Sequence, residues 1–140
     1  MKIDGVEKKL DEAAYQEPNE LIIPVSYKGV NLGAFYYFKN ADLASIKSRD
    51  ELQVKQEFVE YQDGRKLDRW FCLTKDGKKV VQFSDAMCTK IDEIVSKGYT
   101  PQTATVRLIV WWRKTDDTDK EYPEIRVILS DIQFIRSSKG

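Results

Sequence analysis

The chain has 140 residues, 41% of them hydrophobic, which suits a single domain with one core. Its 23 basic and 23 acidic side chains cancel, and no apolar run approaches the roughly 18 residues of a membrane span. Histidine is absent, which excludes imidazole-activated nucleophiles and imidazole metal sites. We therefore expect a cytoplasmic protein that is not an enzyme, contacts no membrane and needs no cofactor.

The charges are unevenly distributed along the chain. Residues 1–20 carry six acids and three bases, and residues 115–121 carry four acids and one base. The remainder holds 19 bases and 13 acids, a net charge of +6. Such a body would attract phosphate moderately.

Two features that could suggest chemistry have simpler structural explanations. Cys72 and Cys88 are too few for a disulfide framework and have no zinc-ligand spacing, so we expect reduced, buried thiols. The acidic stretch of residues 116–119 lacks the glycine and the final glutamate of a calcium-binding EF-hand loop. We expect it to be a solvated connection and predict no metal site.

The chain is predicted to begin outside the main fold. Residues 1–19 have a capping-box spacing and apolar residues four apart, which fit a short helix, and a frayed tail fits them equally. Residues 20–39 contain two β-rich runs around Lys28-Gly29 and predict an N-terminal β-hairpin. Pro24 has no N–H to donate, so its strand should lie at an edge or carry a bulge.

The remaining pattern alternates β-rich runs with one long helix. Asp63-Gly64 and Asp76-Gly77 are strong hairpin signals and predict a three-stranded antiparallel meander. Ser84 is placed to cap a helix with one apolar stripe. The predicted elements are a helical turn at 41–47, strands at 53–61, 66–74 and 78–83, a helix at 84–98, and strands at 103–113 and 124–135.

Residues 80–135 contain several short motifs in a particular order. These are Val81-Gln82-Phe83 before the Ser84 helix, Ser96-Lys97-Gly98 before the next strand, Thr105-Val106-Arg107-Leu108, Glu124-Ile125-Arg126-Val127-Ile128-Leu129 and Asp131-Ile132-Gln133-Phe134-Ile135. In this stretch the chain resembles single-stranded DNA-binding proteins of the bacterial and phage OB-fold type. The element order, with the helix between strands 3 and 4, is also the one expected of an OB barrel.

The resemblance implies both a fold and a function. The fold is mainly β: a five-stranded OB-type antiparallel barrel with one helix. Together with the extra N-terminal hairpin predicted from the residue pattern, the domain covers residues 20–136 and is followed by a tail at 137–140. The function is binding of single-stranded DNA with little sequence preference, in phage or bacterial DNA replication or recombination. Other replication or recombination proteins and further copies of the chain are the implied partners.

Alternation along two strands predicts the binding surface. On strand 103–113 it places Trp111 on the outer face with Arg107 and Arg113, and Trp112 in the core. On strand 66–74 it places Trp70 outward and assigns the core face to Leu67, Phe71 and Leu73. Base stacking on an exposed ring contributes about 1–3 kcal/mol, while Arg and Lys neutralise phosphate. The predicted nucleic-acid-binding residues are Trp70, Trp111, Arg107, Arg113, Arg69, Lys66, Tyr61, Lys55 and Lys78.

Two alternatives remain open at this stage. Aromatic side chains on the outer face of a strand are commonly covered by another element of the same protein, and hairpin lysines are commonly just solvated. The exposed aromatics could also form a protein–protein or oligomer interface in a non-catalytic β domain.

Overall fold

A computed structural model describes residues 18–115 and 121–136. The predicted N-terminal helix or tail lies, except for residues 18 and 19, outside the described residues, as do the C-terminal tail and the acidic stretch of residues 116–119. No helix within the described ranges is long and apolar enough to span a membrane.

The described chain forms six strands, two α-helices and two 3₁₀ turns. The strands are β1 (Glu20–Pro24), β2 (Glu51–Glu60), β3 (Lys66–Leu73), β4 (Lys79–Gln82), β5 (Tyr99–Trp112) and β6 (Ile125–Arg136). The helices are α1 (Asn40–Ala44) and α2 (Asp85–Ser96), and the 3₁₀ turns are Tyr27–Gly29 and Leu32–Tyr37.

All six strands belong to one sheet in the order β1-β6-β5-β2-β3-β4, and every neighbouring pair is antiparallel. The mainly β class and the β2-β3-β4 meander are therefore confirmed. The sheet is open, with β1 and β4 at its two ends, so the predicted closure of five strands into a barrel is not confirmed. The helix α2 connects β4 to β5, at the place in the chain order where the sequence predicts it.

The predicted N-terminal hairpin over residues 20–39 is wrong. Its first run does form a strand, β1, but this strand pairs with β6, more than 100 residues further along the chain. The second run forms a 3₁₀ helix, Leu32–Tyr37, and nearby Val30 makes only an isolated bridge to Phe83. Pro24 lies on the edge strand, as its missing N–H requires.

The core lies between the inner face of the sheet and the helix α2. Ser84 caps this helix by accepting a hydrogen bond from the Met87 N–H at 3.2 Å, and Gly98 beyond its end has a φ of +98°, which favours glycine. The helix buries Met87 and Ile91 against the core, together with Cys88 and Ile94. Burial of an Ile or Met side chain contributes about 1.5–3 kcal/mol, so this face fixes α2 on the sheet.

Candidate nucleic-acid interface

Trp70, predicted to lie on the outer face, is buried with 8% of its surface exposed. Its indole N–H donates to Asp92 Oδ1 on α2 at 2.8 Å, and it packs in the core cluster together with Cys72. Phe71 is buried too, but it lies outside that cluster, on the opposite face of β3. The side chains of β3 alternate as predicted, but the predicted core face and outer face are exchanged. The reason is that α2 packs on the face that carries Trp70.

Trp111 is exposed, at 65%, although for a different reason from the one the alternation gives. A register shift between Val106 and Leu108 marks a β-bulge in β5. The paired positions are Ala104 with Ile132, Val106 with Ser130, Ile109 with Ile128 and Trp111 with Arg126. All four partners in β6 are even-numbered, whereas the β5 residues change from even to odd numbers at the bulge.

The bulge therefore moves Ile109 and Trp111 onto the face that carries Val106, and Leu108 turns to the opposite face, where it is half-exposed. Beyond the bulge, Leu108 departs from its predicted core position, while Val110 packs against the core as predicted. Trp111 remains exposed because it lies near the end of β5, where it borders a small cleft of about 230 Å³ next to α1. Trp112 is half-buried and packs against the core, in agreement with its predicted position.

The three predicted binding arginines all have partners within the protein. Arg107 donates to the backbone oxygens of Val25 at 2.9 Å and Ser130 at 3.3 Å and forms an ion pair with Asp131. This side chain ties the chain after β1 to β6.

Arg69 and Arg113 form weaker pairs. Arg69 Nε lies 3.1 Å from Asp85 Oδ1 without hydrogen-bond geometry, and Arg113 lies 3.6 Å from Glu124. Burial lowers the pKa of Arg69, but the Tyr61 hydroxyl and the Asp85 carboxylate together raise it above its ordinary value. The Arg69 side chain is mostly buried, whereas Arg113 remains half-exposed and accessible to a ligand.

The predicted lysines Lys55, Lys66 and Lys78 are exposed and stand at separate places: in β2, at the start of β3 and in the turn before β4. Tyr61 and Trp111 border two different clefts. The structure therefore does not gather the nine predicted residues into one surface.

A groove of about 640 Å³ near the end of the β2–β3 hairpin offers a more compact site. We call it the aromatic groove. Its walls are formed by the 3₁₀ helix Leu32–Tyr37 and Phe38, by the end of β2 with the following turn, and by Gln82 of β4. The side chains of most chemical interest in it are Tyr37, Phe38, Tyr61, Arg65 and Gln82.

Four consecutive aromatic residues, Phe35 to Phe38, form one wall of the groove and the structure behind it. A 3₁₀ helix has three residues per turn, so side chains i and i+3 point the same way. Phe35 is fully buried and Phe38 packs edge-on against it, with ring centroids 5.7 Å apart. Tyr36 turns toward the β5–β6 connection, and Tyr37 is left 90% exposed at the groove.

The opposite wall holds a tyrosine beneath a cation. The Arg65 guanidinium lies 4.8 Å from the centroid of the Tyr61 ring. The turn between them is closed by the Tyr61 N–H donating to the Arg65 carbonyl at 2.8 Å, and Gly64 in it has a φ of +90°, which favours glycine. The turn thus fixes an aromatic face and a positive charge at the groove.

An acidic side chain holds Arg65 in place. Asp63 accepts from the Arg65 N–H at 3.0 Å and from its Nε at 2.8 Å. The backbone hydrogen bond from Arg65 is the largest cause that lowers the pKa of Asp63 below its ordinary value. This ion pair is exposed, so water screens it and Arg65 can exchange partners at low cost.

Sequence reasoning identified Tyr61, but it set Tyr37 aside as a weaker candidate and missed Phe38. Residues 30–38 have the composition of a strand, in which alternation would bury one of two adjacent tyrosines. The 3₁₀ periodicity instead leaves Tyr37 exposed beside two anchored rings. The available signal was the run of four aromatics, since one short strand cannot bury all of them on a single face.

No protein-family model, no curated protein and no solved structure matches this chain. Its function is therefore inferred from its own residues.

Proposed function

We propose that the protein binds single-stranded DNA with little sequence preference, by stacking bases in the aromatic groove. The observation that carries this proposal is Tyr37, which stands 90% exposed at a groove whose other wall is the Tyr61 ring under Arg65. Every base has a stacking face, and each base–aromatic stack contributes about 1–3 kcal/mol. Such a groove suits a strand of any sequence.

We further propose that β2 to β6 are the five strands of a partly open OB-type barrel. Their order along the chain, with α2 after the third, supports this assignment. OB barrels bind oligonucleotides on the face of strands 2 and 3 and with the loops between strands 1 and 2 and strands 4 and 5. In the proposed assignment, the aromatic groove includes the first of these loops and Gln82 of the third strand.

Cations near the groove would contact the phosphates. Lys39 and Lys66 are exposed and directly follow the groove residues Phe38 and Arg65 in the chain. Lysine and arginine release counterions when they bind phosphate, so binding would weaken as salt rises. The net charge of +6 outside the two acidic segments supports the same behaviour.

Trp111 would provide a second stacking surface. The residues of its cleft include Asn40 and Leu43, shortly after Tyr37 and Phe38 in the chain. We propose that one strand contacts both surfaces, and that the protein acts in the cytoplasm in phage or bacterial DNA replication or recombination, with other proteins of that process as partners.

The substitution Tyr37→Ala tests the proposal. It removes the exposed ring and should weaken binding of a fluorescein-labelled oligo(dT), measured by fluorescence anisotropy at low salt, about 5- to 150-fold. Tyr27→Ala is the matched control, since Tyr27 is also a largely exposed tyrosine but borders a different cleft. Equal affinities of the two variants, or no binding by the unsubstituted protein, would refute the proposed function.

A second candidate function is a protein interface, including one between copies of this chain. Ile22 pairs with Gln133 and Leu108 with Leu129, which places both apolar side chains on the same face of the sheet. They are 59% and 49% exposed. Neither side chain lines the aromatic groove, so an experiment that locates the binding surface separates the two functions.

A further inference from the structure

We propose that Tyr36 is a positioning residue for the aromatic groove: its hydroxyl holds both ends of the β5–β6 connection against the 3₁₀ helix that presents Tyr37. The inference rests on the proposed function and deepens it. Tyr36 does not line the groove and would act through its neighbour.

The contacts of the Tyr36 hydroxyl use both of its hydrogen-bonding roles. It donates to the Pro123 carbonyl oxygen at 2.8 Å and accepts from the Lys114 N–H at 3.0 Å. These two residues stand at the beginning and the end of the connection between β5 and β6. Both ends of the connection are therefore hydrogen-bonded to the same oxygen atom, which belongs to a side chain of the 3₁₀ helix.

The Tyr36 ring also contacts two other aromatic rings. Its centroid lies 5.7 Å from that of Trp112 and 5.9 Å from that of Tyr122, in tilted arrangements typical of favourable aromatic pairs. Trp112 in turn packs against the core. Tyr36 thus links the groove segment to the end of β5 independently of the sheet hydrogen bonds.

These contacts fix the backbone that carries Tyr37 from the N-terminal side, while Phe38 fixes it from the other side by packing on the buried Phe35. A segment already ordered before binding loses less conformational entropy when a base stacks on its exposed ring. Loss of the Tyr36 hydroxyl would therefore weaken binding although the hydroxyl touches no nucleotide.

Hydrogen–deuterium exchange of the ligand-free full chain tests the link itself. In Tyr36→Phe, which keeps the ring, exchange should accelerate both in residues 32–38 and in 112–115 with 121–124. Tyr99→Phe is the matched control, because it removes one hydroxyl hydrogen bond, to the Pro18 carbonyl at 2.6 Å, at another place. Acceleration in one segment only, in neither, or equally in Tyr99→Phe would overturn the inference.

A double-mutant cycle tests the positioning role. Tyr36→Phe should weaken oligo(dT) binding about three- to tenfold in the unsubstituted protein and have no further effect in Tyr37→Ala. Additive losses, no loss, or the same loss in Tyr99→Phe would overturn the positioning role and leave the proposed function standing. Absence of binding by the unsubstituted protein would overturn both, while the exchange experiment still decides whether the hydroxyl joins the two segments.

Discussion

An indole ring can stabilise a core or stack on a base, and its surroundings decide which. The indole N–H of Trp70 is satisfied by Asp92, and the ring is enclosed between β3 and α2. Trp111, by contrast, is mostly exposed beside a small cleft. Trp70 therefore has a structural role, whereas Trp111 is accessible to a ligand.

Trp70→Phe should lower the free energy of unfolding by about 1–3 kcal/mol, because it removes a hydrogen bond and part of a buried ring. Urea unfolding measures this loss, and oligo(dT) affinity should stay unchanged. Trp111→Phe is the control and should change stability by less than about 0.5 kcal/mol, as expected of an exposed position. A larger stability loss from Trp111→Phe than from Trp70→Phe would contradict these assignments.

The sequence could predict which residues of β3 alternate, but not which face the core occupies. Both faces of the second half of this strand are apolar and buried, from Trp70 to Leu73. Only the docking of α2 distinguishes them, and that contact depends on the whole fold.

Among the elements, β5 shows how one inserted residue alters a surface. The bulge around Arg107 changes the alternation, so the residues before and after it follow different phases. Arg107 also bonds to Val25 and Ser130 and pairs with Asp131, which links the bulge to the chain after β1. Nothing in the local apolar pattern reveals such an insertion, since Val106, Leu108 and the residues after them are all apolar.

Arg107→Met should lower the free energy of unfolding by about 2 kcal/mol, because it leaves two backbone oxygens and a carboxylate without their donor. The matched control is Arg113→Met, whose ion pair with Glu124 is half-exposed and should contribute less than about 1 kcal/mol. Chemical unfolding of both variants gives the comparison. Equal stability of the two would show that Arg107 does not anchor the bulge.

For the whole molecule, the elements that local sequence signals mark could be predicted, whereas the contacts between distant segments could not. The order β2, β3, β4, α2, β5, β6 could be predicted because two Asp-Gly turns and a capped helix mark it locally. The pairing of β1 with β6 could not, since it joins segments more than 100 residues apart. The aromatic groove could not be predicted for the same reason, because it brings together three separate parts of the chain: the 3₁₀ helix, the β2–β3 turn and β4.

The most direct test of the account is a nuclear magnetic resonance titration of the ¹⁵N-labelled protein with oligo(dT) at low salt. We expect saturable shifts of the backbone amides concentrated in residues 34–38 and 59–65 and at Gln82, reversed as salt is added. The amides near Ile22 and Leu108 should not respond. No saturable shift, or shifts confined to the surroundings of Ile22 and Leu108, would contradict the groove as a nucleic-acid site. Shifts near these two residues that depend on protein concentration alone would favour an interface.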